Sequence, residues 1–264
     1  MRLIIITLVF LILTSFKADL SGTWNRIESN RVIVYSRPEG FTKTNSPDYL
    51  NLQKILLEQN QIIELINQKL NTNFDRKVEI YLFNFDEAKE KIGTNGGGYC
   101  SSKKPRIYFT YYDDPIYNTI RKKKEYIGVH EMVHIITRYE LGDHKTKFFG
   151  EGYANAIDGN YGAIKIGDSL IRRTIDTTMK LIVKSGNILT PTELLYNNKV
   201  HERNYYPQVG CLVNWLFAEY GVDKINAMFT LNARQIDKNF EKITGDSFKE
   251  MERKYLLHIE NEAF

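Results

Sequence analysis

Cysteine is scarce in this chain, charge of one sign is scarce, and apolar runs are scarce after the first few residues. Each shortage excludes something. Two cysteines, Cys100 and Cys211, among 264 residues allow at most one disulfide, so an apolar core has to hold the fold. A hydrophobic content of 42% over a mature length of roughly 245 residues suffices for that without covalent staples. Pairing of these thiols in an oxidising compartment and two separate thiols both remain open. Repeats and low-complexity tracts are absent.

The 36 basic residues barely outnumber the 32 acidic ones, for a formal charge of +4. Arg121-Lys122-Lys123-Lys124 is the one conspicuous block, and without interleaved aromatics it reads as a solvated helix start. No nucleic-acid partner is therefore expected. The glycine-rich stretch Asn95-Gly96-Gly97-Gly98-Tyr99-Cys100-Ser101-Ser102 lacks the Gly-Lys-Ser/Thr that a phosphate cradle needs, and no helix opens directly after it.

Met1-Arg2 followed by Leu3 to Leu13, with Thr7 as the only polar interruption, is too short for a membrane span of ~20 residues. It reads as a secretory signal over residues 1–18, cut near Ala18. Phe16 fits poorly at the minus-three position, so an uncleaved anchor stays open. No cysteine follows the run, which argues against a bacterial lipoprotein. The expectation is a secreted, periplasmic or cell-envelope protein with no stable span unless the signal is retained. Removing the segment takes out Arg2 and Lys17, so the basic excess becomes slighter still.

What is present is more specific. In His130-Glu131-Met132-Val133-His134 the two imidazoles are four residues apart, so a helix stacks them on one face and both can reach one metal ion. Glu131 stands beside them as a base for a water on that ion, the arrangement of a zinc-dependent peptide hydrolase. Val129, Met132, Val133, Ile135 and Ile136 make the segment apolar nearly all round, which predicts a buried helix. A buried carboxylate is costly without a partner, and a metal supplies one. The site needs another protein ligand. Glu151 is the best of the downstream acids, because it lies in the apolar, small-residue stretch Phe148-Phe149-Gly150-Glu151-Gly152-Tyr153-Ala154-Asn155-Ala156-Ile157. The interval from His134 lets the first helix end near Leu141-Gly142 and the chain return as a second helix, with Ala154 and Ala156 allowing close approach. Asn155, four residues after Glu151, and Asp158 are candidates to hold a ligating imidazole through its other ring nitrogen.

The pair His130-Glu131-x-x-His134 and Gly150-Glu151-Gly152-x-Ala154 resembles the gluzincins, within the broad peptidase-MA-like superfamily of metallopeptidases. Flanking segments resemble them too: Val32 to Gly40, a long amphipathic helix and Val78 to Phe83 upstream, and Tyr206 to Leu216 with Glu219-Tyr220-Gly221 downstream. The interval from His134 to Glu151 is a little tighter than in the best-known gluzincins, and Asn155 stands where a carboxylate is common. The resemblance implies a single zinc ion, a peptide or protein substrate, and Tyr206 as a phenol donor to the developing oxyanion. Tyr205 and His201 are further candidates for that donor. It also implies a substrate-binding edge strand drawn from Gly97, Gly98, Tyr99, Ile107 and Tyr108, with the glycines giving close backbone access. No acidic side chain in that loop offers itself to a free amino terminus, which favours internal cleavage over general aminopeptidase action.

The expected fold is α+β and zincin-like. Residues 19–142 form an N-terminal mixed sheet with helices and the active-site helix, and 143–264 a mostly α-helical lobe, together one catalytic domain. Strands are expected at Val32–Ser36, Val78–Phe83 and Ile107–Thr110. A helix is expected over Pro47–Leu70, capped by Ser46, with Leu52, Ile55, Leu56, Ile62, Ile63 and Ile66 on one face. Thr190-Pro191-Thr192-Glu193 and Ser247-Phe248-Lys249-Glu250 read as capping boxes, and Val209, Leu212, Val213, Leu216, Phe217 and Tyr220 as a core stripe ended by Gly221. His144 and His258 read as solvent-facing. The alternative function is a secreted, non-catalytic zincin-like binding module that keeps the metal site. The oligomeric state is not specified by the sequence.

Overall fold

Five short strands rich in β-branched and aromatic residues form one mixed sheet in the computed structural model, which describes residues 20–37, 48–83, 85–92, 98–101, 103–110, 128–166, 169–197 and 200–261. The strands are β1 (Asn25–Glu28), β2 (Val32–Ser36), β3 (Val78–Phe83), β4 (Gly98–Cys100) and β5 (Arg106–Thr110), in spatial order β1-β2-β3-β5-β4. β2, β3 and β5 run parallel, and the two end strands are antiparallel to their neighbours. Parallel neighbours need a crossover. Helix α1 (Asp48–Leu70) lies between β2 and β3 in the chain, and α2 (Phe85–Ile92) between β3 and β5. The three expected strands form where the β-branched residues predicted them. The end strands β1 and β4 are only four and three residues long, too short for periodicity to reveal.

Strand alternation gives the sheet two faces. Val34, Ile80 and Ile107 are cross-strand partners on the face covered by α1, where Leu52, Ile55, Ile62, Ile63 and Ile66 are buried. The opposite face carries a row of four tyrosines in register: Tyr35, Tyr81, Tyr108 and Tyr99. Tyr35 stacks on Tyr81 with ring centroids 4.4 Å apart, and Trp24 meets Tyr81 edge-on at 5.2 Å. Arg37 closes this side. Its guanidinium lies 3.7 Å over the Trp24 ring, donates to Glu87 at 2.7 Å, and donates to the carbonyls of Thr23 and Ser21. The helix α1 stripe is as expected, while Ser46 and Pro47, its expected cap and first residue, lie outside the described residues. So do residues 1–18, Gly97 and the Arg121–Lys124 block.

The rest of the described chain is mostly helical: α3 (Val129–Glu140), α4 (Lys147–Asp158), α5 (Ile175–Lys184), α6 (Pro191–Tyr196), α7 (Glu202–Tyr220), α8 (Val222–Asn226), α9 (Ala233–Thr244) and α10 (Phe248–Asn261). An antiparallel hairpin, β6 (Asn160–Ile166) with β7 (Ser169–Thr174), interrupts it. The helical lobe therefore contains a small sheet that was not expected. The sequence between its strands, Gly167-Asp168, is of the kind that favours two-residue hairpins, so the signal was there. The Thr190–Glu193 box forms in full. At Ser247 only half forms, because the Glu250 carboxylate is taken by Arg253. A third box, Asn232 with Gln235, caps α9. Among the described residues no helix is long and apolar enough to cross a membrane.

One core runs from the sheet through α3 and α4 into α7. The tightest crossing is between α4 and α7, and it depends on missing side chains. A Cβ on Gly152 would sit 2.5 Å from Val213 Cγ2, and a Cβ on Gly210 2.7 Å from Asn155 Cβ. These glycines, more than Ala154 and Ala156, set the approach. Gly152→Val is accordingly expected to destabilise the protein by about 1–3 kcal/mol through overpacking, measured by urea unfolding; an unchanged midpoint would show that this crossing has slack.

Candidate metal centre

Helix α3 is a buried rod. Met132, Val133, Ile135 and Ile136 have no exposed surface, and the helix begins after Gly128, whose φ of 78° is a left-handed conformation suited to glycine. It runs beside the end strand β4. Near its C-terminus Arg138 donates to the Ser101 carbonyl at 2.6 Å, and near its N-terminus the Glu131 carboxylate is faced by the backbone N–H of Cys100. With one anchor on β4 and one on the residue just after it, the rotation of α3 about its axis is set, and His130 and His134 are turned toward α4.

Helix α4 delivers the third group. Thr146 caps it by accepting from the Phe149 N–H, and the small residues at 150 and 152 let its Glu151 face come close to its neighbours. His130 Nε2 lies 3.2 Å from His134 Nε2 and 3.2 Å from Glu151 Oε2, while His134 Nε2 is 3.8 Å from Glu151 Oε1. Glu151 Oε2 is buried without a hydrogen-bond partner, so its lone pairs and the two ring nitrogens converge on a common point. A tetrahedral site with metal–ligand bonds near 2.0–2.1 Å sets its ligand atoms about 3.3 Å apart. The spacing fits, and so does the donor chemistry: His130, His134 and Glu151 can hold a metal ion.

Electrostatics divide the carboxylates into two kinds. Burial pushes the Glu131 carboxyl up to about 7, with His130 opposing and Glu151 adding to the rise. Burial would raise Glu151 as well, but His130 and His134 outweigh it and hold its pKa below the ordinary value. Burial and the neighbouring His130 bring His134 down to about 3, so it is a neutral ligand at physiological pH. His130 loses by burial and gains more from Glu151 and Glu131, for a net rise. Glu151 is thus the charged ligand, and Glu131 a carboxyl poised near neutrality outside the ligand set.

The surrounding residues sort differently from expectation. Tyr206 does come to the site. Its ring stacks at 6.3 Å on His130, although its hydroxyl donates to Glu202 Oε1 at 3.2 Å. Tyr205 is buried and donates to the Leu194 carbonyl, so it is a packing residue. His201 caps α7 by accepting from the Arg203 N–H. Asn155 does not hold an imidazole, because its amide donates to the carbonyl of Glu151 one turn back in its own helix, at 2.8 Å. Asp158 is near enough to His130 and Glu131 to raise the pKa of both, in keeping with a supporting carboxylate. Ile107 and Tyr108 cannot belong to an edge strand: β5 is paired on one side with β3 and on the other with β4. Only Gly98 and Tyr99 sit on the end strand. The close backbone approach at Gly98 is internal, since a Cβ there would lie 2.7 Å from Phe109 and 2.8 Å from the Tyr108 carbonyl. Cys100 and Cys211 do not form a disulfide. Burial and Glu131 push the Cys100 thiol up to about 11, and Cys211 lies against Tyr255.

Two residues at the site were missed. His144 is exposed, yet its ring packs 6.4 Å from His134 and 6.1 Å from Phe229. It also explains Gly150, where a Cβ would meet the His144 ring at 2.6 Å. Lys147 holds its ammonium 4.8 Å over Tyr206 and 5.0 Å over Tyr205. Helical spacing could have found it, since Lys147 precedes Glu151 by one turn on the same face. His258 also departs from expectation, lying 6.1 Å from Trp215. Compared with known proteins, the chain matches no family model and no curated protein.

The purified chain is expected to bind a single divalent ion, followed by calorimetry and metal analysis. His130→Ala, His134→Ala and Glu151→Ala should each weaken binding by about 100-fold or more, given that even outer partners of metal ligands are worth 10–100-fold. Asn155→Ala should keep the ion. Binding that survives any of the three ligand substitutions would disprove the centre.

Proposed function

We propose that this protein is an exported zinc-dependent peptidase of the gluzincin kind, with His130, His134 and Glu151 as the metal ligands. The observation that carries this reading is the pairing of a complete His/His/Glu set with a half-buried carboxyl, Glu131, that stands beside it and takes no part in it. Two imidazoles and one carboxylate in a compact set suit zinc among the divalent ions. When bound, zinc supplies a Lewis acid that polarises a carbonyl and lowers the pKa of a water toward ~7.

The residues of the chain do the rest. Glu131, with a pKa near 7, accepts a proton from water at neutral pH and returns it to the leaving amine, because a base works best when its pKa is near the operating pH. The Cys100 N–H keeps the carboxylate turned to the strand side of the site. Tyr206, the phenol stacked on His130, exchanges its hydrogen bond to Glu202 for one to the oxyanion as charge develops there. A peptide added to the side of β4 that no described strand pairs, along Gly98 and Tyr99, runs past Glu131. A binding-only module gives no chemical reason for an unligated acid at this place. Export rests on the apolar start of the sequence.

Glu131→Gln should retain zinc and lower kcat by about 10²–10⁴, and Tyr206→Phe should lower kcat by about 10² or more with a smaller change in KM, both measured by digestion of a peptide library with and without chelator. A zinc-loaded Glu131→Gln protein that cleaves at the wild-type rate would remove the assigned base.

A further inference from the structure

A cleft of about 500 Å³ opens beside the metal centre, lined by Lys145, Thr146, Lys147, Tyr196, Asn232 and Arg234 among others. Three of these are cations from two separate segments, the start of α4 and the start of α9. Among the described residues none of the three makes an ion pair, although eleven lysine or arginine pairs form elsewhere. Asp237 accepts from the Tyr196 hydroxyl at 3.0 Å but does not line the cleft, whose lining among the described residues holds no acid. Converging like charges repel, so their assembly around a concave space favours a negatively charged occupant.

Lys147 joins this cleft to the metal site. It lies one helical turn before Glu151 on the same face of α4, about 6 Å along the axis, and its ammonium is held over the ring of Tyr206, which in turn stacks on His130. An extended peptide advances about 3.3 Å per residue. A side chain two or three residues from a bond at the metal centre therefore reaches the cleft. The volume suits one or two side chains and is far too small for a nucleic-acid duplex or a lipid surface, while Leu195 and Tyr196 offer an apolar wall to the methylene groups of a glutamate.

We propose that this cleft binds an acidic residue of the peptide substrate, on the Tyr206 side of the metal centre. Its role as a subsite rests on the peptidase reading; its affinity for acidic peptide does not. The test uses the full chain with chelator present and two labelled peptides that differ only in carrying three glutamates or three glutamines, read by fluorescence anisotropy. The glutamate peptide should bind about tenfold tighter at low salt, with the advantage shrinking as salt is added. The double variant Lys145→Glu/Arg234→Glu should lose that preference while keeping its zinc affinity, whereas Lys103→Glu/Lys104→Glu, on the exposed turn between β4 and β5, should keep it. Equal binding of the two peptides, or a preference that survives the charge reversal at 145 and 234, overturns the proposal. In the zinc-loaded wild-type protein, library digestion should enrich Asp and Glu two or three residues from the cut on one side. Cleavage without that enrichment overturns the subsite. Selective binding with no cleavage at all upholds the acidic-peptide site and refutes the peptidase reading instead.

Discussion

Four atoms that all offer lone pairs, two imidazole nitrogens and the two oxygens of one carboxylate, meet at the junction of α3 and α4, with the nitrogens 3.2 Å apart and each 3.2–3.8 Å from an oxygen. Acceptors repel at such distances unless something positive lies between them, and Glu151 Oε2 has no hydrogen bond to relieve it. Protonation of His130 would meet part of the demand, since His130 and Glu151 stabilise each other's charged forms. A divalent cation meets all of it. Much of the helical lobe serves to keep these groups from drifting apart.

The means are packing and small residues. Helix α3 is anchored to the sheet edge by Arg138 and by the Cys100 N–H, so His130 and His134 cannot rotate away. Helix α4 is pressed against α7 at Gly152 and Gly210, and Gly150 leaves room for the His144 ring. Glu151 sits between these two glycines of α4, in a stretch where a larger residue on either side would push the helix outward. Well-packed interiors transmit such a displacement because they contain little free space. The glycines therefore bear on the metal centre without touching it.

The His130, His134 and Glu151 cluster was legible in the sequence because two imidazoles meant for one ion need a four-residue helical spacing, and because a lone acid in an apolar stretch needs an explanation. Strands β2, β3 and β5 were legible from β-branched runs, and α1 from its apolar stripe. What escaped notice follows from what period and composition do not encode. β4 is three residues long, and its position at the end of the sheet is a fact of strand order, so β5 was wrongly given to the substrate. Asn155 was assigned to an imidazole because helical spacing puts it on the Glu151 face, but an asparagine can also satisfy itself on the carbonyl one turn back. Lys147 shares that face as well, but helical spacing places it there without showing that its ammonium lies over the Tyr205 and Tyr206 rings.

The separation between Glu151, which belongs to the ligand set, and Glu131, which stands outside it, comes from geometry before electrostatics. Successive helical residues are rotated by about 100°, so a carboxylate adjacent to His130 points to the flank of the face that His130 and His134 share, where the Cys100 N–H meets it. Glu151 arrives from another helix and meets that face head on. Burial then acts on both acids, but only Glu151 has two imidazoles in front of it to stabilise its charge; Glu131 keeps most of the desolvation penalty and titrates near neutrality. Where two helices place them thus leaves one acid charged, as a metal ligand would need to be, and the other titrating near neutrality.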